Sequence, residues 1–287
     1  MSVLELLSSK LFWVRVAALL FSCVAFGVQK IGAFLPKGSP YDWCMFCWMF
    51  SFTCTLIVLL VDLCRIHTWI PMSWTNFPIT VACYAALFCL SASVIFPLFF
   101  LRNKTYLNSK IKDYCIISTV FSCLATVAYL GEVILFKASS REEAGYMASA
   151  PGMIKVCQTF VACVIFLVKN LMSCGDLPPS LQWCMAVYCI CFILSMAVVL
   201  MFVWDCTIHL PSMFPKLLSG HGFLSFVMYL SATILWPMYQ FNDQYEDRDY
   251  SNKMAVAVFT CLNLLLYIAD LAYSTKVVFI DISNADN

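Results

Sequence analysis

The chain has 287 residues, of which 62% are hydrophobic and 11% charged, with a formal net charge of +1 and a mean hydropathy of +0.86. A soluble domain carries about 25% charged residues, so this chain has too little polar surface to stay in water. The near-neutral balance also excludes a basic field for nucleic acid. An all-α, polytopic membrane protein is expected, because a helix of about 20 apolar residues crosses a hydrocarbon core of about 30 Å.

The first expected span covers 11–34. Lys10 and Arg15 ahead of an apolar run imitate a signal peptide, but the likeness of this segment to the fifth span argues that it is retained. Pro36-Lys37-Gly38-Ser39-Pro40 makes a turn into the second span, 43–64. Residues 65–76, with Pro71, lead to the third span, 77–101. Pro97 cannot donate a helical hydrogen bond, so the Ser93 carbonyl loses its partner. The Ser93 hydroxyl, like that of Thr233 before Pro237, is expected to help re-satisfy the backbone, as a bilayer requires. Ala82 and Ala86, and Ala85, Cys89 and Ser93, recur every four residues, a small-residue face that lets helices approach in lipid. The fourth span is 114–136. Spans five to eight are read at 152–168, 183–204, 217–240 and 254–273, which leaves no loop long enough for a separate soluble domain.

The two halves of the chain repeat one another. LSASVIFP at 90–97 returns as LSATILWP at 230–237. At the same offset Val14-Arg15-Val16 matches Ile154-Lys155-Val156, and Trp43-Cys44-Met45 matches Trp183-Cys184-Met185. In the last span of each half the register slips by two, so that Phe121, Tyr129 and Glu132 match Phe259, Tyr267 and Asp270. Two four-helix halves in the same order are expected, at 1–137 and 152–287, joined by a linker at 138–151 that carries Arg141-Glu142-Glu143. Eight spans put both termini on one side. Lysine and arginine fall almost evenly on the two sides, so the positive-inside rule does not choose between them.

The acids are the most informative polar residues. Asp62, Glu132, Asp205 and Asp270 fall near the ends of even-numbered spans, at the face where Arg15 and Lys155 begin odd-numbered ones. Intramembrane ionisable residues are functional candidates with a partner to be named. One reading is a proton or ion path through these acids. The favoured reading is two structural ion clusters, Arg15 with Asp62 or Glu132 and Lys155 with Asp205 or Asp270, because none of the acids lies at mid-membrane. Cys64 and Cys206, just beyond the second and sixth spans, are candidate palmitoylation sites if that face is cytosolic. Asn103-Lys104-Thr105 matches a glycosylation sequon, although it lies too close to the membrane for efficient modification. Cys44-x-x-Cys47 has no second pair at zinc spacing, and His67, His209 and His221 have no companion ligands, so no metal or cofactor is expected. Trp13, Trp43, Trp74, Trp183, Trp204 and Trp236 cluster near span ends as an interfacial belt does. No nucleophile elbow, phosphate loop or carboxylate pair suggests an enzyme.

Ser73-Trp74-Thr75-Asn76-Phe77-Pro78-Ile79-Thr80, Gly145-Tyr146-Met147-Ala148 and Trp236-Pro237-Met238-Tyr239-Gln240-Phe241 closely resemble the myeloid-associated differentiation marker family. The resemblance runs from the first span to Val278. It implies two MARVEL domains, each a four-helix membrane module, with termini in the cytosol of a plasma or secretory-pathway membrane. It further implies association with cholesterol-rich membrane domains, vesicle traffic and cell junctions, so that membrane lipids and other membrane or junction proteins are the expected partners. The family supplies no catalytic residues. The chain departs from some members in its short N-terminus and its short loop before the eighth span. A non-enzymatic organiser of membrane domains is thus the leading expectation, with a transporter or channel using the span-end acids as the alternative.

Overall fold

The computed structural model describes residues 9–32, 38–66, 69, 71–101, 109–139, 145–170, 178–204, 206, 214–241 and 250–285. Among these are eight helices long and apolar enough to cross a membrane. They are α1 (Lys10–Gly32), α2 (Ser39–Cys64), α3 (Phe77–Phe100), α4 (Ser109–Ser139), α5 (Ala150–Asn170), α6 (Pro179–Val203), α7 (Phe214–Gln240) and α8 (Tyr250–Ala285). Prolines start five of them: Pro40, Pro78, Pro151, Pro179 and Pro215 sit in the first turn, where a missing backbone N–H costs nothing. Helix α2 ends at Arg65 in the left-handed conformation (φ 56°), whose N–H bonds the Val61 carbonyl, a C-terminal cap that glycine usually supplies. Helix α8 runs well past the expected end at 273, because nothing from Ser274 to Ala285 is Gly or Pro.

The chain divides into two compact units, Met1–Ala148 and Ser149–Asn287. In each, every helix packs on the helices before and after it, and the fourth returns to the first. That is an up-and-down four-helix arrangement, the natural result of short connections between antiparallel neighbours. Part of the expected linker is built into the first unit. A 3₁₀ turn at Tyr146–Ala148 packs on α3, where the Met147 N–H donates to Asn76 Oδ1 at 3.1 Å. Gly145 precedes the turn because a methyl group there would overlap the Asn76 amide.

The repeat survives as matched side-chain contacts. Trp43 Nε1 donates to Ser91 Oγ (3.2 Å) and Trp183 Nε1 to Ser231 Oγ (3.1 Å). Trp48 packs edge-on against Phe96 in the first core, and Tyr188 meets Trp236 at the same positions in the second. The small-residue face of α3 is buried at Ala82, Ala85, Ala86 and Cys89. The hydroxyls before the prolines act differently from expectation. Ser93 Oγ donates to the Cys89 carbonyl and Thr233 Oγ1 to the Tyr229 carbonyl, both at 2.7 Å. Each hydroxyl therefore adds a bond one turn upstream, at a carbonyl a full helical turn away from the one that proline deprives of its donor.

Candidate functional site

Each bundle closes at one end around a buried cation. In the first, Arg15 near the start of α1 is 5% exposed. Its Nε meets Glu132 Oε1 of α4 at 2.5 Å, and its Nη1 meets Asp62 Oδ2 of α2 at 2.7 Å. The second oxygen of Asp62 accepts from Trp74 Nε1 at 2.8 Å. The planar guanidinium suits this site, because its fork can hold two carboxylates from different helices at once. Deeper in the bundle, the Tyr129 hydroxyl pairs with Thr55 Oγ1 (2.9 Å) and donates to the Ser51 carbonyl (3.1 Å). Beyond it, Trp48 Nε1 donates to Ser122 Oγ at 2.9 Å.

The second bundle repeats this seat with different chemistry. Lys155 of α5 and Asp270 of α8 are both fully buried and meet at 2.5 Å. The residue at Asp62's position in the repeat is the buried Phe202. The third partner comes instead from α7, where His221 Nδ1 lies 3.0 Å from Lys155 Nζ. His221 Nε2 faces Ser195 Oγ at 3.3 Å and Ser225 Oγ at 3.4 Å. Ser195 pairs with the Tyr267 hydroxyl at 2.8 Å, which repeats the Thr55–Tyr129 contact of the first bundle. Tyr188 with Thr260 at 2.8 Å repeats Trp48 with Ser122.

Sequence reasoning named Arg15, Asp62, Glu132, Lys155 and Asp270, and the structure brings these together as two groups. Asp205 lies outside the described residues, as do His67, His209, the Asn103 sequon and the acidic patch at Arg141–Glu143. His221 was missed as a member of the second group. The signal was its place in the repeat, opposite Val81 on a buried helical face. Cys64 and Cys206 are exposed, while Cys44 and Cys47 are buried. Among the described residues no three His, Cys, Asp or Glu side chains converge as a metal site.

Ser195 and His221 invite comparison with a nucleophile and its base, and the geometry argues against it. A general base must offer a bare nitrogen to the hydroxyl. Here Lys155 Nζ faces Nδ1; an ammonium there, a donor only, would place the imidazole hydrogen on Nε2, the nitrogen turned towards Ser195. The serine is also fully buried. What the two groups can do is hold three helices together at one end of each bundle.

These observations define a multi-pass integral membrane protein built of four-helix bundles with ion-paired interiors. A family profile for the membrane-associating (MARVEL) domain matches residues 146–273. The human myeloid-associated differentiation marker is 43% identical over 96% of this chain and 90% of its own length. The Xenopus laevis homolog of that protein is 42% identical over 93% of the chain and 92% of its own. Human myeloid-associated differentiation marker-like protein 2 is 34% identical over 93% and 91%. The chain belongs to the myeloid-associated differentiation marker family. No solved structure matches it significantly.

Proposed function

We propose that this protein is a non-enzymatic organiser of membrane domains, acting through helix packing and lipid contact. The observation that carries the reading is where its polar groups lie. Arg15, Asp62 and Glu132 bond one another inside the first bundle and Lys155 and Asp270 inside the second, while much of the outward surface along the spans is apolar. Val127, Ile134, Ile193, Phe223 and Leu265 are each at least 60% exposed. Such a surface presents packing area to lipid and to neighbouring spans.

In this reading the first unit is a second membrane-associating domain beside the one at 146–273, and both termini face the cytosol. The partners are membrane lipids, including cholesterol-rich domains of the plasma or secretory-pathway membranes, and other membrane or junction proteins. Arg15, Asp62, Glu132, Lys155 and Asp270 serve as structural ion pairs. Cys64 and Cys206, exposed at the end of α2 and just past α6, are the cysteines placed for palmitoylation at the cytosolic face.

The test is reconstitution of purified protein into phase-separating vesicles, with partitioning of the protein and of a labelled sterol as the readout. An organiser redistributes between phases and carries no current. Proton or ion flux that disappears in Glu132→Gln/Asp270→Asn would overturn this reading in favour of a transporter or channel.

A further inference from the structure

Five buried side-chain polar atoms of the second bundle have no hydrogen-bond partner among the described residues: Ser180 Oγ at the start of α6, and Gln158 Oε1, Asn263 Oδ1, Asp270 Oδ1 and Ser274 Oγ. The last four are not scattered. Asn263, Asp270 and Ser274 follow one another on α8 at seven and then four residues, which puts them on one helical face. Gln158 is clasped to that face. Its Nε2 donates to the Leu266 carbonyl and its own carbonyl accepts from Asn263 Nδ2, both at 3.3 Å. The same Asn263 Nδ2 lies 2.7 Å from the Tyr229 hydroxyl. Turning over the Gln158 amide would set oxygen against the Leu266 carbonyl, so its orientation is fixed and its orphan acceptor stays.

The first bundle lacks these groups. By the offsets of the repeat, Ala18 stands for Gln158, Ala125 for Asn263 and Phe136 for Ser274, and only Glu132 matches Asp270 with another polar residue. Ala18 and Ala125 are fully buried. The interior orphan acceptor there, Gln29 Oε1, lies at the far end of α1 from Arg15, about 21 Å away at 1.5 Å per residue. The second bundle has therefore placed acceptors and a hydroxyl where its twin has packed hydrocarbon. A buried polar atom without a partner is costly in a bilayer. A carboxylate oxygen is the extreme case, since a buried ion pair repays its desolvation only when its remaining lone pairs are satisfied. Buried waters answer this need and make about three hydrogen bonds each.

We propose that the second bundle binds internal water at two sites along its α8 seam. One site is held by Asp270 Oδ1 and Ser274 Oγ, one turn apart, and the other by Gln158 Oε1 and Asn263 Oδ1. The interior of the second bundle is then hydrated up to its ion pair, while the matching seam of the first is dry. This inference is independent of the organiser reading, because a bundle can hold water whether or not anything crosses it.

Hydroxyl-radical footprinting of the full chain in lipid nanodiscs, with radicals generated by X-ray pulses, tests it. Radicals formed from bound water label the side chains beside that water. Tyr129, Tyr229 and Tyr267 are all buried, so bulk solvent does not separate them. Tyr229 and Tyr267 should label several-fold faster than Tyr129, and Gln158→Ala/Asn263→Ala, which restores the first bundle's alanines, should bring Tyr229 down towards Tyr129. Labelling of Tyr229 and Tyr267 as slow as that of Tyr129, or of Tyr129 as fast as theirs, overturns the proposal. Fast Tyr229 labelling that persists in the folded double variant overturns the amide site. Should that variant fail to fold, the comparison within the native chain decides alone.

Discussion

The two bundles place a cation at the same step of the same helix and then neutralise it differently. Arg15 is held between two carboxylates from α2 and α4. Lys155 has one carboxylate from α8 and an imidazole from α7, and Phe202 fills the seat of the missing acid. The repeat thus preserves a position for a buried cation and lets the surrounding helices take turns as its partner. Both halves have a charge-assisted tie between helix ends, and the tied helices differ. In the structural role proposed above, such a pair is a latch that fixes which helix faces which.

The largest effect that breaks this comparison is expected from Arg15→Leu. It leaves Asp62 and Glu132 facing each other without a counter-charge, and loss of one partner of a buried pair costs about 3–5 kcal/mol. The measurement is the thermal unfolding midpoint of the purified protein, followed by tryptophan fluorescence. A midpoint within a degree or two of the native one would show that the guanidinium is not what holds α1, α2 and α4 together.

Next comes the second seat. Lys155→Met strands one fully buried carboxylate, and Asp270→Leu strands one fully buried ammonium, each a loss of several kcal/mol. The double substitution removes both charges and puts hydrocarbon in their place, so it should be less destabilised than either single variant. If the losses add instead, Lys155 and Asp270 are not a coupled pair. The same cycle at Arg15 cannot be closed with two substitutions, since a second carboxylate remains, and that difference separates the two bundles experimentally. Asp62→Asn should be milder, about 1–2 kcal/mol, because this side chain is 13% exposed and its bond from Trp74 persists. An Asp62→Asn protein as unstable as Arg15→Leu would mean that Asp62, and not Glu132, carries the first cluster.

Much of this was legible before any coordinates. Hydropathy located all eight helices to within a few residues at most ends, because a bilayer demands long apolar runs. It failed at the end of α8, where a sequence without Gly or Pro continues the helix beyond the apolar stretch. The cation and acid positions were legible because charges are rare in such a chain and fell at one face. The choice of partner was not. Asp62 and Asp205 look equivalent as acids at the ends of even spans, yet the offset of 140 aligns Asp62 with Phe202. Following the repeat residue by residue, instead of matching acids by eye, would have exposed the vacated seat and pointed to His221 opposite Val81. The polar seam of α8 was hidden for another reason. Thr260, Asn263, Tyr267, Asp270 and Ser274 are spaced three and four apart, so apolar neighbours dilute them in any linear reading and only helical geometry gathers them.

The smallest prediction compares two hydroxyls that occupy the same place. Thr55 and Ser195 each bond the tyrosine below the ion cluster, Tyr129 and Tyr267. Thr55→Val and Ser195→Ala remove the hydroxyl with little change of shape. In the first bundle Tyr129 keeps a bond to the Ser51 carbonyl at 3.1 Å, but in the second the matching bond from Tyr267 to the Cys191 carbonyl is 3.5 Å. Ser195 also serves His221 Nε2, which is left with only the longer contact to Ser225. Ser195→Ala should therefore cost about 1–2 kcal/mol against about 0.5–1 kcal/mol for Thr55→Val, on the usual scale for a buried hydrogen bond. Paired denaturation of the two variants under one condition reads the difference directly. Equal costs would mean that His221 draws nothing from Ser195. The third partner of Lys155 would then be held by the packing of α7 alone, and the two seats would differ in composition without differing in how they are supported.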